Sequence, residues 1–289
     1  MRRTLMFVVL TGAILGGAAF AAEYTSREDK LVDRWRIVYV SNGMVEMGLA
    51  PEMGGRVLTY RLLPDGHNWP RRESDRYMRL RPSEINPYNS FLNYGGMFDV
   101  HAPGWPGLTF LNKEYELELH ENKDGSLSMV SQADSAGVRS HRVMTLLPGT
   151  TTLRIEATLT NLRDQYLDMM YRMNGEYAAG SGGMEAIYPL DAQGNIHKLE
   201  YIQGREIGRG HIPAFKGWVA LVDKASKTAM LIRYPEEEVD KFLQWTGAGP
   251  AENAPHGYKE TMSDDYFGFV GINLFQNPRE NPPGGKCEF

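Results

Sequence analysis

The chain has 289 residues, of which 42% are hydrophobic and 23% charged, and its formal net charge at pH 7 is -5. A mildly acidic protein of this kind is a poor partner for nucleic acid or for anionic membrane surfaces, so we predict neither as a ligand. The single cysteine, Cys287, excludes an intrachain disulfide framework, and stability must therefore come from a packed core.

The N-terminus has the features of a secretory signal peptide. Two arginines begin it, an apolar run covers 5–20, and Ala19 and Ala21 place small residues at the two positions that signal peptidase recognises. The apolar run is shorter than the ~20 residues that a membrane-spanning helix needs. We predict a signal peptide over 1–21, a mature domain over 22–289, no membrane attachment after cleavage, and a periplasmic or secreted location.

The mature region is predicted to consist mainly of short β-strands joined by turns. Asn42-Gly43 lies between two strand-like runs and is the strongest short hairpin signal. Over 152–162, apolar residues alternate with polar ones, which is typical of a strand with one wet face. Helical patterns are restricted to two short segments, 26–35 and 235–242. The sequence therefore predicts an all-β fold, a large antiparallel sandwich in one domain with few short helices.

Four stretches of the chain contain longer motifs. Residues 49–61 form a strand, a Gly-Gly turn and a second strand, and 93–106 form a loop rich in Gly, Pro and Trp. Residues 143–161 and 271–285 contain a strand pair ending in Thr-Asn and a late strand with a Pro-Gly turn. Together they resemble the galactose mutarotase-like superfamily, which includes the aldose 1-epimerases. The resemblance implies a β-supersandwich whose ligand is a carbohydrate or another small polar molecule.

The catalytic residues of that superfamily are not matched. Its epimerases use a His acid on the central strand and a Glu base on the late strand, which together open and reclose the sugar ring. Here 170–176 contains no His, and 271–274 contains no Glu. An aldose 1-epimerase-like isomerase would therefore need its acid and base at other positions, and whether the chain is an enzyme stays open.

Strand periodicity places several polar residues on one face of a predicted strand. On the strand predicted over 165–177, Arg172, Asn174 and Glu176 share one face and span ~13 Å, the length of one or two sugar rings. Such groups are costly in a dry core and suited to a wet cleft. We predict that Glu176 is catalytic and that Arg172 and Asn174 bind substrate. The alternative is a face open to bulk solvent, on which Arg172 and Glu176 form only an ion pair.

The loop predicted over 93–107 is the second candidate region, because loops that combine Gly, Pro and aromatics often carry function on a β scaffold. His101 titrates near neutrality when unperturbed and is predicted as a second catalytic residue; the alternative is a hydrogen-bonded loop histidine. For Trp105 the alternative to stacking on a sugar is to plug the end of the sandwich. Four more residues are predicted to bind substrate: Asn93, Trp105, Trp245 and Asn273.

No zinc-binding His motif, phosphate loop or Gly-x-Ser-x-Gly motif occurs in the sequence, so neither a metal nor a cofactor is predicted. Three functions stay open. The first is an exported carbohydrate-active protein with an epimerase-like cleft, and the second is a non-catalytic carbohydrate-binding or accessory protein of the same fold. The third is a polysaccharide lyase-like enzyme, in which Arg172, Asn174 and His101 would act on a uronate.

Overall fold

Nearly all of the regular secondary structure is β-strand. The computed structural model describes residues 5–11, 24–72, 75–79, 94–102, 110–111, 113–178, 183–201, 209–213, 215–237, 239–247, 269–276 and 279–288. Within these residues there are twenty strands, one short α-helix (α1, Asp75–Met78) and one 3-10 turn (Pro51–Met53). The prediction of an all-β fold with few short helices is confirmed.

The strands form two large antiparallel sheets. The first sheet has the order β13 (Ile196–Tyr201), β12 (Met184–Pro189), β15 (Trp218–Asp223), β16 (Thr228–Arg233), β1 (Leu5–Thr11), β10 (Thr152–Asn161), β9 (Val138–Leu146), β8 (Leu127–Ser135) and β7 (Glu116–Glu121). A short strand at the end of the chain, β20 (Lys286–Glu288), also pairs with β10.

The second sheet carries the candidate site. Its order is β14 (Arg209–Pro213), β17 (Val239–Gly247), β18 (Phe269–Gln276), β11 (Leu167–Ala178), β6 (Gly96–Ala102), β5 (Arg56–Leu62), β4 (Val45–Ala50), β3 (Trp35–Ser41) and β2 (Thr25–Leu31). The short strand β19 (Arg279–Asn281) extends the pairing at the start of β11. Strand β11 therefore lies in the interior of the sheet, with β6 on one side and β18 on the other.

The described residues form two hydrophobic clusters, and the larger one contains residues of both sheets. Leu153 and Leu159 of β10 and Ile232 of β16 contribute from the first sheet, and Met47 of β4 and Met173 of β11 from the second. Along β10, buried and half-buried residues alternate as predicted, because successive side chains in a strand point to opposite faces.

The N-terminal strand β1 lies within the predicted signal peptide. It pairs antiparallel with β16 over Met6–Thr11 and with β10 over Leu5–Val8. The segment therefore occupies an interior position of the first sheet. Cleavage after Ala21 stays a prediction. Among the described residues, no helix is both long and apolar enough to span a membrane.

Two short helices expected from the sequence are absent, and these predictions are wrong. Residues 26–31 belong to the edge strand β2, whose side chains are almost all exposed, so the strand has no apolar alternation from which to recognise it. Residues 235–237 lie between strands, with a turn at 236–237, and Val239 begins strand β17. Pairing with β3 outweighs the weak helical preference over 26–31, and pairing with β18 does so from Val239 onwards.

Candidate functional site

Strand β11 has two faces with different surroundings. Tyr171 and Met173 belong to the core between the sheets, whereas the intervening residues lie on the opposite face. On that face Arg172, Asn174 and Glu176 are 9%, 2% and 0% exposed. The alternative of a face open to bulk solvent is therefore wrong. Three polar side chains are buried there, away from the other sheet.

Glu176 is held by an arginine that the sequence analysis missed. The segment 69–72 runs beside the end of β11, where the Arg71 amide donates to the Glu176 carbonyl at 2.8 Å and the Ala178 amide donates to the Trp69 carbonyl at 2.9 Å. Arg71 Nη1 also donates to Glu176 Oε2 at 2.8 Å, between side chains that are 5% and 0% exposed. A charge-assisted bond at this depth fixes the orientation of the carboxylate.

Asn174 presents an unsatisfied acceptor. Its Oδ1 atom is buried and accepts no hydrogen bond from any residue that the structure describes. A buried amide oxygen without a donor costs about 1–3 kcal/mol, so native structures normally supply a partner. A ligand hydroxyl would be one such donor.

Glycines flank Glu176 on both neighbouring strands. In the sheet register, Glu176 lies between Gly96 of β6 and Gly271 of β18, so neither neighbour contributes a side chain. Gly96 has φ +85, and a Cβ there would lie 2.7 Å from the Val57 carbonyl oxygen. A side chain is therefore excluded at Gly96 by both backbone conformation and space. The two glycines therefore place no side chain beside Glu176 in the sheet.

Two predicted binding residues occupy register positions beside this set. Asn273 of β18 is directly opposite Asn174, and Trp245 of β17 is opposite Gly271, in the same row as Glu176. Adjacent strands lie ~4.8 Å apart, so Trp245 is two strand spacings from β11. Their roles in binding stay predictions.

The predicted 93–107 loop is partly a strand, and the prediction of a loop at His101 is therefore wrong. His101 belongs to β6, where it is opposite Tyr171, whereas its neighbour Val100 is opposite Arg172. The register therefore does not place His101 in the row of Arg172 or Glu176. Asn93 and Trp105 lie outside the described residues. A catalytic role for His101 remains a prediction without support from the register.

A buried polar cluster lies directly behind the candidate face, between the sheets. Asp99 Oδ2 of β6 is 3.0 Å from Arg142 Nη1 of β9, and the Tyr171 hydroxyl donates to Asp99 Oδ1 at 2.7 Å. Arg142 Nη2 also donates to the Gly55 carbonyl at 2.7 Å. Burial, together with the Asp99 charge, raises the pKa of Tyr171 well above its usual value, so its hydroxyl keeps the proton that it donates.

A histidine outside the predicted set also contacts the end of β11. His67 Nε2 is 3.0 Å from the Ala178 carbonyl oxygen, and its ring packs edge-on against Trp69 with 5.1 Å between ring centroids. Among the described residues, no group of three His, Cys, Asp or Glu side chains is arranged to hold a metal ion.

No family model matches the sequence, and no curated protein is similar to it. Solved structures share its fold. The chain is similar to a galactose mutarotase-like protein from Clostridium acetobutylicum, with 9% identity, a TM-score of 0.61, and coverage of 93% of this chain and 96% of that one. It is also similar to a proposed aldose 1-epimerase from Klebsiella pneumoniae, with 12% identity, a TM-score of 0.60, and coverage of 99% and 90%.

A third similar structure is a TPR-domain-containing protein from Parabacteroides distasonis, with 11% identity and a TM-score of 0.62 over 88% of this chain. This chain spans only 46% of that protein's length. The fold is therefore the galactose mutarotase-like β-sandwich, and the predicted resemblance is confirmed at the level of the fold. Identities this low show the fold alone, so function has to be argued from the site.

Proposed function

We propose that this chain is an exported protein that binds a carbohydrate over the outer face of β11, with Arg172, Asn174 and Glu176 as its polar contacts. The observation that carries the proposal is the buried Asn174 oxygen, which has no donor among the described residues and lies between two buried charged side chains. A ligand rich in hydroxyl groups supplies both donors and acceptors to such a set. Export rests on the N-terminal sequence.

Each of the three side chains has a distinct role in this proposal. Glu176, oriented by Arg71, accepts hydrogen bonds from sugar hydroxyls, and Asn174 Oδ1 accepts one more. Arg172 contributes a planar set of donors that suits hydroxyl or carboxylate oxygens. The superfamily fold supports a sugar as the ligand class, since similar solved structures carry mutarotase and epimerase names.

Binding is better supported than ring-opening catalysis. Epimerisation needs an acid and a base placed on a single sugar ring. Within the described side chains, the outer face of β11 contributes two carboxylates: Glu176 is engaged by Arg71, and Asp168 is exposed and ~26 Å away along the strand, too far to act on the same ring. An epimerase-like activity is the second candidate, and the position of Glu176 on the polar face is the observation that favours it.

A binding and turnover screen separates these functions. The mature protein would be tested against neutral hexoses, oligosaccharides and uronates, with anomer exchange followed by NMR and lyase products by ultraviolet absorbance. We expect Arg172→Ala and Asn174→Ala to weaken binding by about ten-fold or more, since each removes a buried polar contact worth ~1.5 kcal/mol. Arg233→Ala, on the exposed end of β16, is the control and should bind normally.

The variant Glu176→Gln separates binding from catalysis, because the amide keeps the shape of the carboxylate and loses its basicity. In a binding protein, affinity should change by only a few-fold, and the wild type should show no turnover. In an enzyme, turnover should disappear while the sugar still binds. If no sugar binds, or if Arg172→Ala and Asn174→Ala bind as well as the wild type, the proposal is wrong.

A further inference from the structure

The segment Leu5–Thr11 has two properties that exclude each other in the mature protein. Its sequence lies in the apolar part of a signal peptide, with the predicted cut after Ala21. Its backbone forms β1, between β16 and β10 in the first sheet. If the segment is removed on export, the strand is removed with it.

Removal of β1 would leave two strand edges facing each other across a gap. Strand β16 is paired with β1 over Met6–Thr11, and β10 is paired with it over Leu5–Val8. The backbone N–H and C=O groups that β10 and β16 direct at β1 would then lack partners, and unpaired strand edges readily pair with another extended segment. We define this gap, between Thr152–Ile155 and Thr228–Arg233, as the strand slot.

Direct pairing of β10 with β16 is a costly way to close the slot. These strands are two strand spacings apart, so closure requires a shift of one half of the sheet by ~4.8 Å. That half contains the fully buried core residues Val219, Leu221, Met230 and Ile232, which pack against the other sheet. Because close-packed cores do not slide freely, the slot is better filled than closed.

The register defines the side chains that the slot accepts. Position 7 of β1 is opposite Leu153 and Ile232, which are both fully buried in the core. Positions 5 and 9 are likewise opposite the buried residues Ile155 and Met230. The alternate position 6 is opposite Arg154 and Arg233, on the outer face of the sheet. An occupant therefore needs apolar residues at alternate positions and tolerates polar ones between them.

We propose that the processed protein uses the strand slot to bind an extended apolar segment of a different polypeptide, antiparallel to both β10 and β16. Such strand addition obtains affinity from main-chain hydrogen bonds and specificity from alternate side chains. The sequence LMFVVLT, which occupies the slot in the full chain, shows the chemistry that fits: apolar residues at the alternate positions 5, 7 and 9, opposite buried core residues. This inference rests on the predicted processing and not on the sugar site.

The test begins with the exported protein, whose intact mass should correspond to a chain that starts at Ala22. It is then mixed with a synthetic peptide of residues 5–11 that carries Met6→Lys, Val8→Thr and Leu10→Lys, changes confined to the outer-face positions. The control peptide carries Leu5→Lys, Phe7→Thr and Val9→Lys, so it has the same added charge on the core-side positions. We expect the first peptide to bind at least about ten-fold more tightly, because only it keeps the apolar residues that enter the core.

Hydrogen exchange locates the binding independently. The first peptide should slow exchange of the backbone amides over Thr152–Ile155 and Thr228–Arg233, whereas those of β7 should not change. A retained Met1 would overturn the proposal, as would two peptides that bind equally or not at all. A homodimer with the slot already protected would assign the slot to a second copy, which would also overturn it. Sugar binding can fail without affecting any of these outcomes, so the two proposals are tested separately.

Discussion

Replacing Arg71 by alanine removes one partner of the buried ion pair with Glu176. The two side chains are 5% and 0% exposed, and their charged atoms are 2.8 Å apart. Removing one member of a buried pair typically costs about 3–5 kcal/mol, because the remaining charge loses its counterion away from water. For a protein of this size, each 1 kcal/mol lowers Tm by roughly 2–4 °C, so we expect Tm to fall by about 10 °C.

Thermal and urea unfolding, followed by circular dichroism, would measure this loss, and an exposed pair in the same chain provides the control. Arg139 and Asp134 are 2.7 Å apart with side chains 42% and 46% exposed, so Arg139→Ala should cost little. The double variant Arg71→Met, Glu176→Leu should recover much of the stability, since neither member of the pair is then left buried without the other. If Arg71→Ala is no more destabilising than Arg139→Ala, the reasoning about the buried pair is refuted.

Three further predictions concern stability. Tyr171→Phe should cost ~1.5–3 kcal/mol in urea unfolding because it removes a buried donor to a carboxylate, whereas Tyr166→Phe, at a residue 64% exposed, should be neutral. Gly96→Ala should lower the free energy of unfolding by clearly more than the control Gly125→Ala, which should cost ~1 kcal/mol because φ is also positive there but the space is open. Equal losses would contradict the close approach of Gly96 to the Val57 carbonyl oxygen. Burial raises the pKa of several tyrosines, so above about pH 10 the unfolded chain releases protons that the folded protein keeps, and stability should fall with rising pH. Absorbance at alkaline pH should show these hydroxyls ionising only on unfolding: Tyr60, Tyr115 and Tyr177.

The fold could be predicted because its signals are local. Period-2 alternation over 152–162 and the hairpin signal at Asn42-Gly43 indicate strands and turns without knowledge of the partners, and β3, β4 and β10 lie where these patterns place them. Strand β2 was missed because an exposed edge strand buries almost nothing and so leaves no apolar pattern. Local patterns report burial, and they fail where a strand is stabilised by backbone pairing alone.

The candidate site could be predicted only in part. Alternation along β11 was enough to group Arg172, Asn174 and Glu176 on one face, because that grouping needs only the strand period. It could not identify Arg71, which lies 105 positions before Glu176 in the chain and is brought to it by the 69–72 segment. The Trp-Pro-Arg-Arg sequence there signals only an extended segment after a turn.

The ion pair between Asp99 and Arg142 restricts how this sequence can diverge. The two residues come from different sheets, and their charges balance each other in the core. A change at one position alone leaves a buried charge, whereas simultaneous replacement by apolar residues can be neutral. The two positions are therefore expected to covary, so a homologue that lacks the aspartate should usually lack the arginine as well. In a sequence alignment of distant homologues, the residues at positions 99 and 142 should therefore change together.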